Sequence, residues 1–230
     1  MRARTRHAQA GLTLMEIMIA VAVLGFMMTM AWTTMTSTIE SKNRAEGKQE
    51  RNHEIRVAMN IMVRDFSSAY LSMNEDKNLD NRRTLFVGKD SSPVGEVRFS
   101  SLGHRVLWSN ANESEQTLIS YAAATDRRDS SMTNLIRRES RRLSNETWEN
   151  EPAEVDVLLR DIERVEFEYF NWRDNDWQDN WNTVNADGQR DKLPEFVRIT
   201  ITLEDDAGER ITRTTQARIH MLEAINFFQQ

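Results

Sequence analysis

Glu16 is the one charged side chain in a long apolar stretch. The run LTLMEIMIAVAVLGFMMTMAW begins at Leu12, and from Ile17 to Ile39 no charge occurs. A carboxylate inside an apolar span is costly unless it is neutralised or paired, which makes it a functional suspect. One way to pair it is to cut the chain between Gly11 and Leu12. The new α-amine then lies four residues before Glu16, about one helical turn away. Within one chain, the positive end of the helix dipole favours an anion at that place. Between two chains staggered along a fibre, the amine of one neutralises the carboxylate of the other. Because that pairing needs a second helix, the cost of burying Glu16 becomes a drive to assemble.

The other residues able to do chemistry make weaker sets. His7, His53, His104 and His220 are scattered and show no ligand spacing; they read as surface or partly buried histidines. There is no cysteine, so no disulfide, thiolate nucleophile or Cys-based zinc site can form. G-x-S-x-G and phosphate-binding glycine loops are absent too. We expect no enzyme, no cofactor and no metal. Asp174, Asp176, Asp179, Asp187 and Asp191 give an acidic loop of the kind hard cations use, but without the EF-hand order. A solvated loop is the expectation, with calcium the alternative. Trp172, Trp177 and Trp181 lie in or beside this loop. They either anchor it on its own core or present an interface. The net charge of −6 over 230 residues gives no electrostatic reason to expect nucleic acid.

These residues need elements to carry them. The apolar stretch is long enough, at about 20 residues, to cross a bilayer as a helix. Arg2, Arg4 and Arg6 precede it, which keeps the leader cytoplasmic and sends the rest outward. An ordinary cleaved secretory signal fits poorly: the run is too long and no A-x-A site follows it. A generic single-span anchor fits the length but leaves Glu16 unexplained. Residues 41–54 are polar all round, with Gly25 and Gly47 as weak points. Next, Ile55, Met59, Met62, Val63, Phe66 and Tyr70 form one helical stripe. Core packing is the expected use of that stripe, and a Met-rich binding groove the alternative. One helix from about Leu12 to Leu71 is the simplest arrangement.

Beyond a polar loop at 72–83 the period shifts towards two. Expected strands are Thr84–Val87, Glu96–Ser100, Arg105–Trp108, Thr117–Ala123, Asn134–Arg138, Arg164–Trp172, Glu195–Leu203 and Arg210–Ile219. Asp205-Asp206-Ala207-Gly208 signals a hairpin turn between the last two. Residues Val155–Ile162 read as a short helical turn. The class is α+β, a long N-terminal helix packed on an antiparallel β-sheet domain. Its expected parts are a leader at 1–11, a membrane and assembly helix at 12–39, an amphipathic half at 40–71 and a globular domain at 72–230.

The sequence G-L-T-L-M-E ahead of a long apolar helix resembles the class III leader of type IV pilins and type II secretion pseudopilins. The resemblance implies cleavage after Gly11 by a prepilin peptidase, N-methylation of Leu12 and an assembly role for Glu16. Leu12 stands where the family usually has Phe. The segments LIRRE at 135–139, DIERVEFEYFNWRDNDWQDNW at 161–181 and LPEFVRITITLEDDAG at 193–208 are similar to the minor pseudopilin J family of type II secretion. That implies a structural subunit of the pseudopilus tip that starts fibre assembly. Its partners would be the minor pseudopilins I and K, with H a further candidate. It would sit as a single-pass inner-membrane protein with its body in the periplasm. A minor pilin of a type IV pilus, or a membrane-tethered periplasmic binding module, are the alternatives.

Overall fold

The computed structural model describes residues 13–74, 83–104, 114–143, 152–185, 187–205 and 208–226. The chain divides into two compact units, Met1–Gln49 and Glu50–Gln230. Helix α1, Leu14–Ser67, contributes to both.

The described part of the first unit is almost entirely helix. Gly25 and Gly47 lie inside it without a break. In its polar segment Lys42 pairs with Glu46 at 3.5 Å and Arg44 with Glu40 at 3.6 Å. These exposed i,i+4 pairs support the helix locally by about 0.3–0.5 kcal/mol each.

In the second unit the expected stripe faces a core. Ile55, Met62 and Phe66 are buried, and Met59 and Val63 are partly buried against them. The stripe therefore packs a core and forms no open groove. Tyr70 is also buried, but outside the helix, which stops at Ser67 and not at Leu71. Two serines explain the stop. Ser67 Oγ donates to the Val63 carbonyl at 2.7 Å, and Ser68 Oγ to the Asp65 carbonyl at 3.0 Å. The chain then turns so that Tyr70 N–H donates to the Ser100 carbonyl at 3.1 Å. Side-chain hydroxyls thus add hydrogen bonds to the carbonyls of the last helical turn.

Among the described residues ten strands follow: β1 Phe86–Lys89, β2 Glu96–Ser101, β3 Thr117–Thr125, β4 Thr133–Ser140, β5 Ala153–Leu159, β6 Arg164–Asn171, β7 Asp176–Gln178, β8 Trp181–Asn182, β9 Phe196–Glu204 and β10 Arg210–Arg218. They make two antiparallel sheets where one was expected. The first has the order β5-β4-β3-β2-β1-β8 and the second β10-β9-β6-β7. Phe66 shows why two sheets form. Its ring lies 4.7 Å from Phe99 and 5.8 Å from Tyr121 on the first sheet, and 5.8 Å from Phe167 on the second. The helix stripe is a shared core element that both sheets cover. Backbone bonds also link the sheets: Val165 N–H donates to the Pro93 carbonyl at 3.0 Å, and Gly95 N–H to the Val165 carbonyl at 2.8 Å.

Further expectations need correction. Residues 153–159 are strand β5, not a helical turn, because the ladder with β4 fixes them. The loop after β6 contains two short strands. β7 extends the second sheet and β8 pairs with β1 of the first. The expected strand Arg105–Trp108 lies outside the described residues. The hairpin between β9 and β10 is present. Gly208 has φ +75° and its N–H donates to the Asp205 carbonyl at 2.8 Å, a conformation glycine adopts at little cost. Gly88 on β1 has a different reason. A β-carbon there would collide with the Tyr169 hydroxyl of the second sheet, so this glycine admits close approach of the two layers.

Candidate functional site: the head of the apolar helix and a buried ion-pair network

At the start of α1, Thr13 and Glu16 hold each other. Thr13 N–H and Thr13 Oγ1 donate to Glu16 Oε2 at 2.9 and 3.0 Å, and Glu16 N–H donates back to Thr13 Oγ1 at 3.3 Å. This is a capping box, with Thr13 at the N-cap and Glu16 three residues in. Within a single chain the carboxylate therefore has a hydrogen-bond partner from its own helix start. Gly11 and Leu12 lie outside the described residues. The sequence reading identified Glu16 but missed Thr13, although the T-x-x-E spacing was visible.

Beyond this head the helix surface is apolar and exposed, with Leu14, Met15, Met18, Phe26, Met28 and Trp32 all more than 60% accessible. By length and composition α1 can cross a membrane. Between Thr29 and Ser41 every hydroxyl is turned inward. Thr29, Thr33, Thr34, Thr36, Ser37, Thr38 and Ser41 each donate to a carbonyl three or four residues back, at 2.8–3.1 Å. An apolar solvent tolerates hydroxyls only when they are satisfied in this way.

In the second unit the helix carries a residue the stripe did not predict. Asp65 is 2% exposed. Tyr121 Oη on β3 donates to Asp65 Oδ2 at 2.6 Å, and Arg137 Nε on β4 donates to the same oxygen at 2.5 Å. The other arm of Arg137 donates to Glu139 Oε2 at 2.7 Å, and His104 Nδ1 meets Glu139 Oε1 at 2.7 Å. One guanidinium thus bridges two carboxylates, which its planar fork suits and an ammonium does not. Burial and the neighbouring Asp65 push the Tyr121 phenol well above its ordinary value. Burial raises the Glu139 pKa, but hydrogen bonds from Arg137 and His104 outweigh it and hold the carboxyl below its ordinary range. LIRRE, singled out earlier as a short motif, therefore supplies Arg137 and Glu139 to the lock between helix and sheet.

The remaining candidates separate. Trp181 is 1% exposed and donates from Nε1 to the Lys192 carbonyl at 3.0 Å, so it anchors its loop. Trp177 is half-buried, with the Arg198 guanidinium 3.8 Å from its ring centre. Trp172 is also half-buried, with the Arg173 guanidinium 5.0 Å from its ring centre. In the acidic loop, Asp174 accepts from Asn171 Nδ2 at 2.7 Å and Asp191 lies 3.4 Å from Arg190. Among the described residues no three His, Asp or Glu side chains group to hold a metal ion. His104 is a partly buried partner of Glu139, and His53 and His220 lie far from it in sequence.

Comparison with known proteins matches these features. A prokaryotic N-terminal methylation motif covers residues 6–32, which contain Gly11, Leu12 and Glu16. The model of the family "Type II secretion system (T2SS), protein J" covers residues 33–216. No curated protein matches the chain. Among solved structures, a chain of the GspK-GspI-GspJ complex from the enterotoxigenic Escherichia coli type 2 secretion system aligns with a TM-score of 0.50 and 14% identity, covering 74% of this chain and 99% of its own. A type IV-like pilin from Thermus thermophilus aligns with a TM-score of 0.47 and 10% identity, covering 73% of this chain and 95% of its own. The first of these supports the fold alone, and the family model supports more. A methylation-type N-terminus, an apolar helix headed by Glu16 and a matched span of 184 residues on an α+β body lead to one conclusion: the chain belongs to the type II secretion system protein J family of minor pseudopilins.

Proposed function

We propose that this minor pseudopilin works in the tip of the pseudopilus, where it helps to start fibre assembly and supports export of folded proteins across the outer membrane. The observation that carries the reading is the match to the protein J family over residues 33–216, behind an exposed apolar helix headed by Glu16. Residues 1–11 act as a leader, removed by prepilin peptidase between Gly11 and Leu12, and Leu12 is then N-methylated. Residues 12–39 span the inner membrane, and the rest of the chain lies in the periplasm. The role is structural and not enzymatic. The protein whose fold is similar was crystallised as a GspK-GspI-GspJ complex, so I and K are the proposed partners, with H a further one.

Glu16 provides the assembly switch in this reading. In the single chain it is held by Thr13. In a fibre, the Leu12 amine of a neighbour takes over as a charged and therefore stronger partner. Glu16→Ala should leave the chain inserted in the membrane while secretion and co-purification with I and K are lost. Mass spectrometry of the mature N-terminus should find N-methyl-Leu12. Secretion unimpaired by Glu16→Ala would overturn the assembly role, and an intact Met1 start in a peptidase-positive cell would overturn the processing.

A further inference from the structure

Among the described residues, strand β5 ends the six-stranded sheet and pairs only with β4. Four of its seven residues, Glu154 to Val157, are exposed. An edge of this kind presents a row of unpaired backbone N–H and C=O groups. Its side chains are sorted by face. Glu154 lies opposite Glu139 and Asp156 opposite Arg137, so both acids share the face that holds the Asp65 network. Val155 and Val157 lie opposite Arg138 and Ile136 on the other face and are 55% and 47% exposed. Glu154 reaches Arg141 at 2.7 Å in an exposed pair, and Asp156 has no ion pair among the described residues. The edge is thus acidic on one side and apolar on the other.

That pattern selects an occupant. A second copy of β5 fits badly. Full antiparallel overlap sets Asp156 against itself, and the register centred on Val155 sets Glu154 against Asp156 twice. Like charges directly opposite one another destabilise a ladder. We propose that β5 is the docking edge for an extended strand of another protein in which basic and apolar residues alternate. The backbone of that strand would complete the ladder. Its basic residues would face Glu154 and Asp156, and its apolar residues would cover Val155 and Val157. The proposal goes beyond the role in pseudopilus assembly and stands on the second unit's sheet, whatever happens at Gly11 or Glu16.

The test uses the full chain in detergent micelles and three labelled heptapeptides: alternating Val and Lys, alternating Val and Glu, and the Val-Lys peptide N-methylated along one backbone edge. Fluorescence anisotropy should show the Val-Lys peptide binding about tenfold more tightly than the Val-Glu one, as expected for two cross-strand charge pairs. N-methylation should abolish binding. Hydrogen exchange should show new protection at β5 and none at β10, an edge of the other sheet. Glu154→Lys with Asp156→Lys, both exposed, should reverse the preference between the peptides. The proposal fails if neither peptide binds, if both bind equally, or if the N-methylated peptide binds as well as its parent. It also fails if protection appears at β10, or if the chain self-associates through β5 without peptide.

Discussion

Arg137→Met tests whether the buried network locks the helix onto the sheet. The substitution keeps much of the side chain's volume and removes its charge. It leaves Asp65, which is 2% exposed, with Tyr121 Oη as its buried donor and the exposed Arg64 guanidinium at 3.5 Å as its remaining cation, and it leaves Glu139 with His104. Removing one partner of a buried ion pair costs roughly 3–5 kcal/mol, because the other charge stays buried without compensation. For a unit of this size each kcal/mol moves the midpoint by about 2–4 °C, so the drop should be about 6–20 °C. Differential scanning calorimetry of the full chain in micelles reads it directly. The origin of the cost is separable. Combining Arg137→Met with Asp65→Leu removes the stranded charge and should recover part of the loss, a non-additivity expected of groups in contact. A single variant that melts within about 2 °C of the parent would refute the network as a lock. A double variant that melts below the sum of the two single losses would refute stranded charge as the cause.

Two further outcomes follow from neighbouring residues. Glu139 has a folded pKa below its ordinary value of 4.5, so its contribution is present above that value and fades as pH falls through the lower, folded one. Acid titrations of stability should show this limb in the parent, and Glu139→Gln should flatten it. Gly88→Ala would drive a methyl into the Tyr169 ring and hydroxyl. The variant should lose about 1–3 kcal/mol, typical of an overpacked core, which lowers the thermal midpoint by about 2–12 °C, and an unchanged midpoint would mean the layers are not in close contact there.

Local patterns carried the sequence reading where they were strong. Glu16 stood out because a carboxylate is conspicuous in a long, otherwise uncharged apolar run. The stripe from Ile55 to Phe66 stood out because a helix repeats its faces, and the β9–β10 hairpin because Gly208 marks the turn. What stayed hidden depends on distant partners. Asp65 sits beside Phe66 and looks like a solvated position until Arg137, 72 residues later, comes to meet it. β5 was misread because the ladder with β4 decides its state, not its own composition. β8 is two residues long, too short for any periodicity, and only its pairing with β1 reveals it. The division into two sheets was illegible for the same reason, since it follows from which faces converge on Phe66.

The hydroxyl-bearing segment from Thr29 to Ser41 has a consequence for transfer between environments. Because each hydroxyl already donates to its own helix, none of these donors is left seeking a partner. Exchanging lipid neighbours for protein neighbours breaks no bond to those groups and forms none. For these side chains the two surroundings are nearly isoenergetic in hydrogen bonding, so shape and dispersion decide which is preferred. Such a helix can pass from one medium to the other without the toll that a free hydroxyl would levy.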